Sequence, residues 1–341
     1  MNTYHNQVDQ RNMKRLKEIK ETLPEYAKDY FVSLQNRSLS TNTQLGYAYE
    51  VSLFFDYLLS LSKYGGFERT TLPLELLDDV EKLDVERYLA QKTEVKSDEG
   101  KSRVLAALRS FFGYFNKNGQ IKGNPAAIVD TPKLHRKNII TMDSDDISRL
   151  LKAVETVPNT TDKKQLIAYE KTVERDKAII TLLLGTGIRI SELVGLDVSD
   201  IDWEKWCINI IQKGGNEDIS YFGEDVAEAL ADYIENGLPK LKPEDNEPAL
   251  FISSQHKRMT VRAIELRIKK YARIAGLSDK ITAHKCRSSY GTYVYEQTKD
   301  VYAVKEALHH ASLETSKKYI GNGDERKRKA ATVAQGMFKN K

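Results

Sequence analysis

Four short stretches in the C-terminal part of the chain carry polar groups that a hydrophobic core would not ask for. GTGIRISEL offers two glycines for a tight turn, then Arg189 opening a helix, with Glu192 one turn further on. QKGGNED sets Lys213 beside two glycines, in a turn between two strand-like runs. TAHKCRSSYGTYVYEQ places His284 and Arg287 three residues apart, one turn of a helix, on a shared face. ALHHASLETSKKYIG holds His309 and His310, with Tyr319 nine residues after the second, and Ser312 and Thr315 available as helix caps.

Singly, each group has an ordinary explanation. Arg189 reads as a surface residue, Lys213 as a solvated turn residue, the His284–Arg287 spacing as coincidence, and Tyr319 as one of 18 tyrosines. Together they compose one chemistry. Two guanidiniums can bind the non-bridging oxygens of a phosphodiester and stabilise the charge that builds in its transition state. A tyrosine hydroxyl can attack the phosphorus and conserve the bond as a covalent ester. A lysine can protonate the leaving oxygen, and histidines can move a proton or donate a hydrogen bond near neutral pH. Cationic side chains do the electrostatic work here, so this chemistry requires no metal. His284 in any case has no second His, Cys or Asp at metal-ligand spacing.

The elements that must position these groups are mostly helical. Residues 22–36, 40–63, 84–92 and 99–117 read as four helices of a small all-α domain. The second has Ser40, Thr41 and Thr43 as candidate caps and an apolar stripe of Leu45, Tyr49, Leu53 and Tyr57. The fourth carries Val104, Leu105, Leu108, Phe111, Phe112 and Phe115 on one side. A basic, proline-containing stretch then reads as an exposed linker that ends in a helix cap at Asp143 or Ser144. The division expected is 1–130 as the first domain, 131–142 as linker and 143–341 as the second domain. Within the second, helices are expected at 145–156, 176–184, 224–236, 260–275, 283–297, 300–310 and 312–320, with a polar excursion at 157–170. Strands at 206–211 and 218–222 form a hairpin with Lys213 at its tip, and 249–253 is a short apolar piece. Residues 323–341 form an amphipathic tail helix, with Ala330, Val333, Ala334, Met337 and Phe338 on one face. The fold class is therefore mainly α: an all-helical domain followed by a mixed, mostly helical domain with a small antiparallel sheet.

Composition narrows the setting. At 341 residues the chain is long enough for two domains, each with its own core. It shows no apolar run of membrane-spanning length, and its start is polar and mixed in charge, unlike a signal peptide. A cytoplasmic location follows as an expectation. The two cysteines, Cys207 and Cys286, are expected to be buried and unpaired. The net charge of +4 decides nothing. Its distribution says more: between Lys257 and Arg273 seven Lys or Arg stand against one acid, Glu265. Lys257, Arg258, Arg262, Lys269 and Lys270 are accordingly candidate phosphate contacts, although a solvated helix face would look the same.

At these motifs the chain resembles the tyrosine recombinase and integrase family, specifically its bacterial Xer branch, over about residues 22 to 322. That family's pattern is an arginine in a G-x-R-x-S-E-L run, a hairpin lysine, H-x-x-R, a histidine in an L-G-H type motif, and a tyrosine nine residues later. It falls here on Arg189, Lys213, His284, Arg287, His310 and Tyr319, with Glu192 in support. The resemblance implies a site-specific recombinase. It would clamp duplex DNA between a core-binding domain and a catalytic domain, without metal, ATP or other cofactor. It further implies an inverted-repeat site, a tetramer on DNA, 3′-phosphotyrosyl and Holliday-junction intermediates, and a tail helix docked in trans on the next subunit. The expected setting is the bacterial cytoplasm, on the nucleoid, in chromosome dimer resolution or in integration and excision of a mobile element. The excursion before RDKAIITLLLGTG is similar to single-recombinase Xer proteins, and no arm-binding domain of the lambda type is expected before residue 22. Two departures stand out. Cys286 and Ser288 replace the usual leucine and histidine around Arg287, and His309 replaces the glycine before His310. The second predicts a change in local helix geometry or in the site's titration. Two other readings stay open on the residues: a type IB topoisomerase that swivels one strand, and a DNA-binding protein that keeps the scaffold without catalysis.

Overall fold

A computed structural model describes residues 3–92, 97–133, 140–212 and 215–319. The chain divides into two compact units, Met1–Lys137 and Asn138–Lys341. Residues 134–139 of the expected linker, Lys213 and the tail helix at 323–341 lie outside the described residues.

The first unit is all helical: α1 (Thr3–Glu21), α2 (Glu25–Asn36), α3 (Thr41–Ser60), α4 (Lys82–Gln91) and α5 (Asp98–Lys117), with short 3₁₀ turns between α3 and α4. Its core is aromatic. Phe111 of α5 meets Tyr30 of α2 edge to face at 5.2 Å and Phe55 of α3 at 5.7 Å, while Phe112 meets Phe54 at 5.9 Å. Such edge contacts add to the burial of large rings. Ser97 caps α5 by accepting from the Gly100 amide at 3.3 Å, and Asp98 and Glu99 complement the positive end of the helix.

Two expectations are corrected in this unit. Helix α1 has no counterpart in the sequence reading, because its residues are overwhelmingly polar. It is anchored by buried Leu16 and by Asn12, whose amide donates to Thr41 Oγ1 at 3.2 Å and Asn42 Oδ1 at 2.8 Å. In α3 the stripe of Leu45, Tyr49, Leu53 and Tyr57 is only half right: Leu45 and Tyr57 are buried, Tyr49 and Leu53 are exposed, and the rest of the inner face is Ala48, Val51, Phe54, Phe55 and Leu58. The helix is apolar on most sides, so periodicity alone does not choose its inner face.

The second unit opens with α6 (Ser144–Glu155), capped by Asp143, whose carboxylate accepts from the Asp146 amide at 2.8 Å. The polar excursion contains a helix of its own, α7 (Lys163–Glu170), none of whose residues is buried. Then follow α8 (Val173–Thr186), α9 (Ile190–Gly195), β1 (Ile201–Asp202), β2 (Cys207–Ile211), β3 (Glu217–Tyr221), α10 (Glu224–Asp232) and the short α11 (Leu238–Leu241). The chain finishes its described part with α12 (Val261–Ile274), α13 (Ala283–Thr298), α14 (Val301–Ala307), α15 (Leu313–Ser316) and a 3₁₀ turn, Lys317–Tyr319.

The central element is α8, an almost wholly buried helix packed by α6, α10 and α13. The three strands form one antiparallel sheet in the order β1-β2-β3, with Cys207 opposite Tyr221 and Ile211 opposite Glu217, so the two longer strands are joined through 212–216. The apolar piece at 249–253 is buried and bridges back to Asp197 through Ala249. Both cysteines are free and buried, and burial pushes the Cys286 thiol up to about 12. No helix among the described residues is long and apolar enough to cross a membrane.

Candidate active site

Helix α8 stops at Gly187, whose φ of 64° is the left-handed conformation that glycine adopts without steric cost. A Cβ at this position would lie 2.4 Å from the Tyr290 ring. The turn aims the Gly187 carbonyl at α13, where it accepts from Arg287 Nη1 at 2.6 Å. Arg287 Nη2 donates to the Leu308 carbonyl at the end of α14. The guanidinium is thus fixed by two carbonyls and by no carboxylate, at 4% exposure. Burial and the neighbouring charge of Arg189 pull its pKa down to about 10, with Glu192 pulling the other way, and it stays charged at neutral pH.

Arg189 sits at the N-cap of α9. Buried Glu192 accepts from its backbone amide at 2.7 Å and from Nη1 at 2.6 Å, and Nη2 reaches the His309 carbonyl at 3.4 Å. One carboxylate therefore orients one guanidinium and leaves the second uncompensated. About a third of the Arg189 side chain remains exposed, with a relative accessibility of 34%.

His310 follows α14 and is buried, with Nδ1 2.7 Å from Ser316 Oγ. Its ring lies nearly parallel to that of Tyr319, with centroids 6.0 Å apart and planes at 12°. Burial, then Arg287, Lys318, Arg189 and His309, pull the His310 pKa down to about 4, so its imidazole is neutral at pH 7. Tyr319 is itself buried among Tyr295, Val304 and Leu308, and its hydroxyl has no hydrogen-bond partner of good geometry. Burial raises its pKa, while Arg287, the adjacent Ser288 hydroxyl and Arg189 oppose the rise. A buried, unpaired hydroxyl beside two arginines is costly unless a further group completes the site.

His284 and Arg287 share α13 but not depth: Arg287 is buried and His284 is exposed. The His284 pKa is lowered, first by partial desolvation and then by Lys318, Lys285 and Arg287. The same surroundings lower Lys318, whose ammonium stands 5.0 Å from the centre of the Tyr319 ring. Every resolved shift among the cationic groups Arg287, His284, His310 and Lys318 is downward. This is the electrostatic signature of a site that would be relieved by an anion.

Arg189, Glu192, Arg287, His310 and Tyr319 are brought together, and His284 stands at the rim. Lys213 lies outside the described residues. Of the basic segment, Lys257 is exposed with Nζ 3.4 Å from Glu244, Arg262 is exposed, and Lys269 and Lys270 are partly covered. Arg258 is turned inward instead. Its Nη1 donates to the carbonyls of Val194 at 2.9 Å and Leu196 at 2.8 Å, and Nη2 pairs with Asp197, so its guanidinium is spent on the fold rather than offered to a phosphate.

Sequence reasoning missed the groups that hold the site. Ser316 fixes His310, and Gly291 makes room for the Tyr319 ring: a Cβ there would lie 3.0 Å from Tyr319 Cζ and 2.7 Å from Leu308. A glycine in the interior of a helix was the available signal. Ser316 gave none.

Comparison with known proteins places this geometry in a lineage. Residues 141–326 match the model of the phage integrase family. Tyrosine recombinase XerD of Shewanella oneidensis is 30% identical over 285 residues, covering 83% of this chain and 87% of the relative. Tyrosine recombinase XerC of Caldanaerobacter subterraneus is 29% identical over 317 residues, covering 89% and 83%. Among solved structures, the XerH site-specific recombinase in its post-cleavage complex with palindromic difH shares the fold with a TM-score of 0.65 at 20% identity, over 88% of this chain and 82% of that one. A lambda integrase dimer bound to a COC′ core site gives 0.62 at 17% identity, over 86% and 75%. The chain therefore belongs to the phage integrase family, as an Xer-like tyrosine recombinase.

Proposed function

We propose that the protein cleaves and rejoins duplex DNA at a specific inverted-repeat site, with Tyr319 as the nucleophile that forms a 3′-phosphotyrosyl bond. The observation that carries this reading is the convergence of two guanidiniums, Arg189 and Arg287, with a neutral imidazole and a buried phenol in one network held by backbone carbonyls. The two arginines bind the scissile phosphate and stabilise its pentacovalent transition state. His310 and, at the rim, His284 hydrogen-bond or exchange protons with the same phosphate, and Lys213 protonates the leaving 5′ oxygen. Tyr319 attacks phosphorus, the bond to the 5′ oxygen breaks, and attack by a second 5′ hydroxyl reverses the step, so phosphodiester energy is conserved without ATP. Both units contact the duplex, and four copies exchange strands in pairs through a Holliday junction. The apolar face of 323–341 docks on a neighbouring copy. The biological reaction on this reading is chromosome dimer resolution or movement of a genetic element.

The test is a suicide duplex carrying the target repeat and nicked next to the cleavage point. The unaltered protein should form an SDS-stable adduct on it. Tyr319→Phe should bind the same duplex and form none. Binding without adduct by the unaltered protein would leave a scaffold that only binds DNA, and relaxation of plasmids lacking any repeat would make it a topoisomerase.

A further inference from the structure

Helix α14 closes through a turn in which the His310 amide donates to the Lys305 carbonyl at 2.9 Å and the His309 amide to Glu306 at 2.9 Å. This closure needs a left-handed residue after the helix, a place where glycine is favoured. Here it is His309, with φ of 50°. A histidine in that conformation is uncommon and carries a steric cost that glycine avoids. Its side chain is largely buried and points at the sheet, where Nδ1 lies 2.7 Å from Asp218 Oδ2. Asp218 is the second residue of β3 and directly faces Ile210 of β2. The same carboxylate oxygen accepts from the Gln212 amide side chain at the start of the turn. Burial pushes the Asp218 carboxyl up, but the Ile219 amide, His309 and Gln212 outweigh it and hold the group below its ordinary value. On its other side the His309 carbonyl receives Arg189.

His309 therefore touches three parts of the site at once. Its carbonyl meets the α9 arginine, its ring meets the hairpin, and its chain neighbour is His310. The hairpin needs such a tie. β3 is an edge strand paired only with β2, and Ile219 and Tyr221 are exposed on it. Beyond Ile208, where the pairing with β1 ends, only β2 and β3 continue, and a two-stranded projection is marginal without side-chain support.

We infer that His309 is a positioning residue, clamping the β2–β3 hairpin through Asp218 to the turn after α14 that carries His310 and meets Arg189, so that the hairpin is set for the role proposed above for Lys213. The last step rests on the reading of Lys213 as the proton donor given above, whereas the clamp itself does not. A misplaced reacting group costs up to about a hundredfold in rate for about 1 Å of displacement.

Two measurements test it. In hydrogen exchange on the DNA-free protein, His309→Gly and Asp218→Asn should each speed exchange of the hairpin amides around 210–219 at least tenfold, with α8 and α13 unchanged. Glycine relieves the backbone at 309, so a global loss of fold is not the expected outcome. Unchanged hairpin exchange in both variants overturns the clamp. In the second measurement, His309→Gly should cleave an ordinary suicide duplex roughly ten- to a hundredfold more slowly, yet cleave a duplex with a 5′-bridging phosphorothiolate within about threefold of the unaltered protein, since a thiolate leaves without a proton. No loss on the ordinary duplex, or the same loss on both, overturns the positioning role. Because exchange requires neither DNA nor cleavage, failure of the unaltered protein to form any adduct would strike the cleavage reading and leave the clamp to be decided by exchange.

Discussion

Among its described residues the second unit buries two arginines, and it treats them in opposite ways. Arg175, at the start of α8, is 1% exposed and fully answered. Asp176 Oδ1 accepts from its Nε at 2.9 Å and its Nη2 at 2.6 Å, the Ile252 carbonyl takes Nη1 at 2.8 Å, and Tyr271 donates to the other Asp176 oxygen at 2.8 Å. Arg287, at 4% exposure, has two carbonyls, a second arginine, and only the longer-range pull of Glu192, which is itself paired with Arg189. Hydrogen bonds satisfy its geometry but not its charge. A folded chain tolerates a buried cation without a counterion only where something outside the chain supplies one, since the cost of burying an unpaired charge is otherwise severe. The first arginine belongs to the architecture, and the second reads as half of a binding event.

The contrast predicts crossed phenotypes. Asp176→Asn strands the Arg175 charge and should cost about 3–5 kcal/mol of stability, measured by urea unfolding, while the fraction that remains folded cleaves DNA at the normal rate. Arg287→Met should do the reverse. Cleavage of the suicide duplex should fall by about 10²–10³, on the scale of losing one transition-state donor, with a stability change much smaller than that of Asp176→Asn. If Arg287→Met unfolded the protein as badly as Asp176→Asn, the two arginines would be equivalent structural groups and the distinction would collapse.

Much of this was readable before any coordinates, for uneven reasons. Helix α5 announced itself because Val104, Leu108, Phe111, Phe112 and Phe115 recur at helical spacing against a polar opposite face, and all are buried. Helix α3 announced its existence but not its inward face, because Tyr49 and Leu53 are as apolar in sequence as Val51 and Phe54. Helix α1 was illegible, since tertiary anchors such as Leu16 and Asn12 leave no periodic trace. In the site, Arg189, Arg287, His310 and Tyr319 were legible through their spacing within motifs. Their partners were not. The Gly187 and Leu308 carbonyls are backbone groups that any sequence has, and Ser316 and Asp218 are ordinary polar residues until the fold brings them against His310 and His309. Motif spacing picks out which groups converge, whereas the field they sit in arises only from the packing of distant segments.

That field has a consequence in pH that a neutralised arginine would not produce. The His310 pKa falls from an ordinary 6.5 to about 4, through burial first and then Arg287, Lys318 and Arg189. Between these two values the unfolded chain accepts a proton that the folded chain refuses, so stability should decline as pH drops from about 6.5 toward 4 and lose no more from this group below that. For a shift of this size the loss amounts to at most about 3 kcal/mol across the window. His284 is shifted in the same direction, so the slope of the unaltered protein mixes both. His310→Asn keeps a polar partner for Ser316 and cannot titrate, and the difference between the two proteins isolates the His310 share. Unfolding free energies at pH 7 and pH 5 should differ less in the variant. Equal differences would mean that His310 titrates normally. The cationic field that separates the Arg287 region from the Arg175 region would then not reach the imidazole 6.0 Å from the Tyr319 ring.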